Sequence, residues 1–397
     1  MNGEKGETGT SHSLKYETFG SLLKNVVDNR GKTCPTADSG IPLIATNCIV
    51  NNYLYPIYKK LRYVSEETYN TWFRDHPRPS DMIFVLKGTP GRVAWVPDPV
   101  DFCIAQDMVA IRADERKIFP KYLFAVLRSD YIQQEIEGLH VGSLIPHFKK
   151  GDFDDLKIPI VKPKLQEFIG NQYFDLSLKI DLLHRQNKTL EAMAETLFRQ
   201  WFVEEAQEGW EEKPLSSIAD FLNGLACQRY PPKNEADKLP VLKIKELRNG
   251  FTKDSDWATT DVKPGYIVEN GDVIFSWSAS LMVKIWDGEK CILNQHLFKV
   301  TSEDYPKWFY YQWCKHYLEE FVSISASHAT TMGHIKRGDL DAAMVLVPSK
   351  EELKEMTIII TPLVEKLIKN TKQIRTLEKL RDTLLPKLMN GEVRVRY

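Results

Sequence analysis

Two stretches of this chain place a stripe of residues at alternating spacings of three and four, the pattern that runs along one face of a helix. In the later stretch the stripe is Leu367, Asn370, Ile374, Leu377, Arg381, Leu384 and Leu388. In the earlier one it is Ile180, Leu183, Asn187, Leu190, Ala194, Leu197 and Trp201. The spacing predicts two long helices, starting near Pro163 and Ser349, each with one asparagine in an otherwise mostly apolar seam. A polar seam residue costs stability and fixes register, so the two seams are expected to pair antiparallel within one chain. A helix of about 35 residues rises about 50 Å at about 1.5 Å per residue, long enough to hold two modules apart.

Ahead of each long helix the apolar runs are short and bounded by turns. Ile41–Ala45, Asp81–Leu86 and Gly91–Trp95 read as strands in the first half, Leu239–Ile244 and Asp272–Phe275 in the second. Pro120–Leu127 and Trp308–Cys314 read as helices. Asp81-Met-Ile-Phe and Asp272-Val-Ile-Phe are one strand written twice, and the duplication goes further. Ile145-Pro-His-Phe-Lys-Lys-Gly-Asp-Phe-Asp154 returns 187 positions later as Met332-Gly-His-Ile-Lys-Arg-Gly-Asp-Leu-Asp341. At the same offset Thr189-Leu-Glu-Ala-Met-Ala-Glu-Thr-Leu-Phe198 returns as Thr376-Leu-Glu-Lys-Leu-Arg-Asp-Thr-Leu-Leu385. Two copies are too few for a solenoid. The chain is expected to be two mixed α/β modules, 1–160 and 209–349, each followed by a long helical segment, 161–208 and 350–397.

Composition adds bounds. A length of 397 residues gives two to three domains of ordinary globular make-up, with 43% hydrophobic and 27% charged residues. The six scattered cysteines form no Cys-x-x-Cys pair, which suits a reducing compartment. No apolar run reaches the roughly 18 residues of a membrane span, so a soluble, cytoplasmic protein is expected. The net charge of -1 weighs against nucleic-acid binding, because phosphate neutralisation usually leaves a basic excess. Basic residues can still gather locally, as Lys149-Lys150 and Lys336-Arg337 do at matching places.

The chain lacks a Gly-x-Gly-x-x-Gly or Walker loop, a His-Glu-x-x-His and a Gly-x-Ser-x-Gly. Tyr230-Pro-Pro-Lys233 faintly resembles the target-amine loop of amino-methyltransferases, but without its acidic or amide residue it reads as a turn. His147 and His334 recur without a second ligand at metal spacing, so a hydrogen-bonded role suits them better than a metal.

The duplicated module-plus-helix plan, Gly142-Ser-Leu-Ile-Pro-His-Phe148 with its following Lys-Lys-Gly-Asp, Leu156-Lys-Ile-Pro159, and the ending Leu384-Leu-Pro-Lys-Leu-Met-Asn-Gly-Glu-Val-Arg-Val395 together resemble the specificity subunit of type I restriction-modification systems. Met332-Gly-His-Ile departs from the usual Ile-Pro, which puts the geometry of the second loop in doubt. The resemblance implies two α/β target recognition domains in tandem, separated by antiparallel coiled-coil helices in a pseudo-two-fold arrangement. It implies a non-catalytic subunit reading a bipartite double-stranded DNA target, with two methyltransferase subunits docked on the helices and restriction subunits in the full complex. No cofactor is expected in this chain; S-adenosylmethionine is expected on the methyltransferase partner.

Base reading needs hydrogen-bonding side chains on loops, and phosphate contact needs Lys or Arg. The candidates are Lys87, Thr89, Arg92 and Gln106 in the first module. In the second they are Ser276, Ser278, Lys284, Asn294, Gln295 and His296. Ser143, Lys149 and Lys150 near the first repeated loop match Thr330, Lys336 and Arg337 near the second. Two other classes stay open at this level: a duplicated adaptor that binds only proteins, which the near-zero charge suits, and an enzyme with an unrecognised motif. Salt-sensitive binding to plasmid DNA separates the first from a DNA reader, and turnover by the purified chain would reveal the second.

Overall fold

The computed structural model describes residues 15–29, 33–139, 146–327, 333–389 and 392. They pack as two compact units, Met1–Leu182 with Arg375–Tyr397, and Leu183–Ile374. The long helices are Pro163–Arg199, continued by a π-helical turn over Gln200–Glu204, and Lys350–Met389. Each unit takes one half of both helices. The packing units thus cut across the consecutive segments read from the sequence, because each core closes on both helices. The start of the second helix is fixed by a reciprocal cap: Ser349 Oγ accepts from Glu352 N at 3.3 Å while Glu352 Oε2 accepts from Ser349 N at 3.0 Å.

In the first unit a four-stranded antiparallel sheet runs in the order Leu23–Val27, Met108–Ala113, Met82–Val85, Val93–Trp95. A second sheet orders Arg62–Val64, Ile41–Ile44 and Cys103–Ile104, the last pair parallel. Lys15–Thr18 pairs with Lys157–Ile160, tying the module's start to its end just before the long helix. In the helix Pro120–Leu127 every residue from Tyr122 onward is buried. Its neighbour is the long helix at Gly170, where a Cβ would stand 2.6 Å from Tyr122 N, so only glycine admits that approach. The core joins Phe19, Phe84, Phe124, Phe148 and Tyr173 to Leu385 and Leu388 of the second long helix. Each such buried side chain contributes about 1.5–3 kcal/mol.

The second unit repeats the plan. Its four-stranded sheet is Asp220–Asn223, Leu297–Thr301, Val273–Ser276, Met282–Ile285, with the same order and polarity. A second sheet again holds one parallel pair, Leu239–Leu242 with Cys291–Leu293. Glu211–Pro214 and Met344–Val347 form the closing ribbon. Where Gly170 meets its helix in the first unit, here Trp308 of the helix Lys307–His316 donates Nε1–H to Thr357 Oγ1 at 3.1 Å.

Within this unit the helices run antiparallel through the asparagines. Asn370 is fully buried, and its Nδ2 donates to Asn187 Oδ1 at 2.9 Å and to Gln186 Oε1 at 2.8 Å. Asn187 Nδ2 donates to Thr371 Oγ1 at 3.3 Å. Past the end of the first helix and near the start of the second, Trp210 Nε1 donates to Glu352 Oε2 at 3.2 Å. Of the seam residues, Ile180, Leu183, Ala194, Ile374 and Leu388 are buried, as is Arg381, while Leu190, Leu197, Trp201, Leu367, Leu377 and Leu384 are half-buried.

Candidate nucleic-acid interface

The repeated histidine loop and the turn after the central strand meet in both modules through the same main-chain bonds. In the first module Phe148 N donates to Leu86 O at 2.9 Å and Gly88 N to Pro146 O at 3.0 Å, bridging Lys87 to His147. In the second, Ile335 N donates to Trp277 O at 3.0 Å and Ala279 N to Gly333 O at 2.8 Å, bridging Ser278 to His334. Both turns use positive φ, +83° at Gly88 and +86° at Gly91 in the first and +56° at Ala279 in the second. The loop is anchored by a buried apolar residue, Phe148 against Phe84 and Phe153 in one module and Ile335 in the other. The replacement of Pro146 by Gly333 leaves the loop geometry unchanged and has a local cause. A Cβ at 333 would stand 2.5 Å from Ser325 Oγ and 2.6 Å from Ser325 O, at the end of the helix Leu318–Ser327.

Just beyond each anchor a helical turn projects the basic pair. Lys149 N donates to Asp152 Oδ2 at 2.9 Å and Lys336 N to Asp339 Oδ2 at 2.6 Å, which caps the turn and leaves Lys149, Lys150, Lys336 and Arg337 exposed. A loop, a strand turn and two exposed cations therefore lie together in each module. Such a patch can hold phosphates while the turn presents side chains to base edges.

The individual candidates divide. In the first module Lys87, Thr89 and Arg92 are half-buried around the turn, and Gln106 is exposed just before the strand Met108–Ala113. Arg92 Nη1 reaches Ile49 O at 3.5 Å, so its guanidinium is partly held by its own module. In the second module Gln295 sits at the same strand register as Gln106 and His296 follows it. His296 is held by Ser278 Oγ on Nδ1 at 3.2 Å and by Gln295 Nε2 on Nε2 at 3.3 Å.

Four candidates do not sit as free loop side chains. Ser276 is fully buried, with its hydroxyl donating to Ser280 O at 2.9 Å, so it shapes the turn. Asn294 is 5% exposed, its Oδ1 accepts from His296 N at 3.4 Å, and its main chain abuts Gly224, so it too supports the surface from beneath. Lys284 lies on the strand Met282–Ile285 and not on a loop, half-buried, ion-paired with Asp287 at 2.9 Å and reaching Leu247 O. Ser278 is buried and acts on His296. Ser143 and Thr330 lie outside the described residues.

One residue was missed. Trp277, half-buried, stacks on Phe298 with ring centroids 5.7 Å apart and lies near His296 and His334. Its Nε1 donates to Asn223 Oδ1 at 3.2 Å. Aligning the two strands brings it out, because Trp277 occupies the place of buried Leu86 and is the larger and more exposed of the two while packing on the same core.

Among the described residues no helix is long and apolar enough to cross a membrane, and no group of three His, Cys, Asp or Glu could hold a metal ion. A family model for the type I restriction modification DNA specificity domain matches residues 23–192 and again 207–379. The specificity subunit of the type I restriction enzyme MjaIX from Methanocaldococcus jannaschii is 28% identical over 331 residues, 74% of each chain. That of HindI from Haemophilus influenzae is 19% identical over 387 residues, covering 76% of this chain and 84% of that one. A crystal structure of the S subunit of a type I restriction-modification system from M. genitalium shares the fold, with TM-score 0.57 at 15% identity over 96% of this chain and 97% of that one. These matches give no support to a protein-only adaptor. With both halves of its repeat inside the family's domain, this chain belongs to the DNA specificity subunits of type I restriction-modification systems.

Proposed function

We propose that each module reads one half of a bipartite double-stranded DNA target. The turn and histidine loop face base edges, and the repeated basic pairs hold phosphates. The observation that carries this reading is one main-chain frame, present twice, that presents different side chains beside a shared glutamine, Gln106 or Gln295: Lys87, Thr89 and Arg92 in one module, Trp277 and His296 in the other. A subunit with two different ligands needs this combination. Methylome sequencing of cells with and without the gene tests it. A split motif with one half altered by changes in one module is expected, and a continuous motif would sink the proposal.

The same proposal includes two copies of one methyltransferase subunit on the helices, with restriction subunits joining in the cytoplasmic complex. S-adenosylmethionine would be held by the methyltransferase, leaving this chain without catalysis of its own. Supporting this, Met193 and Leu380 occupy matching repeat positions and are 47% and 49% exposed. Matched apolar side chains in water suit identical partners. Analytical ultracentrifugation should give two methyltransferase subunits per chain, whereas a one-to-one complex at saturation would count against the pairing.

A further inference from the structure

Each module places a glutamine just ahead of the same inner strand of its four-stranded sheet, Gln106 before Met108–Ala113 and Gln295 before Leu297–Thr301. The residue that follows differs. In the first module it is Asp107, with φ at +71°, and Gln106 is exposed with no hydrogen bond to its amide among the described residues. In the second it is His296, which has both ring nitrogens engaged, Nδ1 with Ser278 Oγ at 3.2 Å and Nε2 with Gln295 Nε2 at 3.3 Å. An amide nitrogen donates and does not accept, so His296 Nε2 is the acceptor. The ring hydrogen therefore sits on Nδ1 and is donated to Ser278 Oγ.

The surroundings hold this arrangement in place. Ser278 is 3% exposed, and its main chain forms the bridge to His334. Trp277 packs near the imidazole, with ring centroids 6.0 Å apart. Gln295 N donates to Leu225 O at 2.8 Å, which fixes the backbone that carries the amide. A glutamine amide free to turn offers its donor and acceptor in either order, but here Nε2 is kept toward the imidazole. Oε1, which accepts no hydrogen bond among the described residues, and the second Nε2 hydrogen are left for a ligand. An acceptor beside a donor matches the N6 amino group and N7 of adenine in the major groove. Guanine carries acceptors at both O6 and N7 and would set O6 against Oε1.

We propose that His296 is a positioning residue that locks the Gln295 amide so that the second module reads an adenine in its half-site. This rests on the reading that each module recognises half of a DNA target. The test is selection by the full chain from a duplex pool randomised across the second half-site, with the first half-site held constant. Wild type should enrich adenine over guanine about 5- to 150-fold at one base pair, and Gln295→Ala should abolish that preference at that base pair alone. His296→Phe keeps a ring beside Trp277 but gives Gln295 no acceptor, so the ratio there should fall to parity while the other positions keep theirs. Ser278→Ala, which releases Nδ1 and lets the imidazole take its other tautomer, should act in the same direction and serves if the Phe variant folds poorly. A wild type that selects no half-site removes the recognition reading and this proposal with it. A wild type that selects a half-site with no adenine dependent on Gln295 would overturn the proposal alone. So would a folded variant at His296 or Ser278 that keeps the full ratio or weakens every sequence equally.

Discussion

The turn after Met82–Val85 and the turn after Val273–Ser276 are held to their histidine loops by the same two main-chain bonds, yet they share almost no side chain. Leu86 is buried where Trp277 is half-exposed, and half-buried Lys87 stands where Ser278 is buried. The frame depends on amides, positive-φ residues and one apolar anchor. Apart from the positive-φ positions, none of these restricts what the turn carries, so its side chains can change at little cost to the frame.

The largest effect should come from breaking the frame itself. Phe148→Ala removes the anchor of the first loop and should cost about 3–5 kcal/mol, with Ile335→Ala costing about 2–5 kcal/mol in the second module. Calorimetry should show each loss in its own unit. A change under about 0.5 kcal/mol, typical of surface sites, would mean the loops are anchored elsewhere.

Next in size, Arg92→Ala should relax one half-site by about 1–3 kcal/mol if the guanidinium meets a guanine edge. Binding measured across variant sites checks this, and an equal loss for every sequence would remove Arg92 from base reading. Smaller and uniform effects are expected from alanine at Lys149 and Lys150, or at Lys336 and Arg337. Each pair should lower the slope of log affinity against log salt by about 2, without altering sequence preference. A sequence-dependent change from either pair would show that the two frames are used differently.

The smallest effect on stability should come from replacing the seam asparagines. Asn187→Leu with Asn370→Leu should leave stability near its present value or raise it, while loosening register. Register can be read by disulfide formation between Leu190→Cys and Leu367→Cys. These positions lie three residues on along one helix and three back along the other from the Asn187 to Asn370 bond. A single intrachain crosslink is expected before the asparagines are changed and a mixture of partners afterwards.

The scaffold was legible because it is periodic and duplicated. The 3-4 spacing marked both seams, and Asp81-Met-Ile-Phe against Asp272-Val-Ile-Phe marked the same central strand. The recognition surface was less legible. Ser276 and Asn294 look like exposed loop polar residues in the sequence, but both point into hydrogen bonds beneath the surface. Lys284 reads as a loop cation, but it lies on the strand Met282–Ile285 with Asp287, three residues on, paired to it. Trp277 follows a strand directly, where an aromatic residue ordinarily reads as core. Only register with Leu86 shows it at the tip of a turn.

The division of both helices between the units also sets an order of assembly during synthesis. Leu183–Ile374 is continuous, so the second unit has all its parts once Ile374 leaves the ribosome. The first unit begins at the N-terminus but draws Leu385, Leu388 and Met389 into its core, so the module made first is the last to close. While the residues from Leu183 to Ile374 are being made, a nascent chain must carry that unfinished apolar surface. A stop codon anywhere in the last helical turns would damage the N-terminal module before the one beside it in sequence.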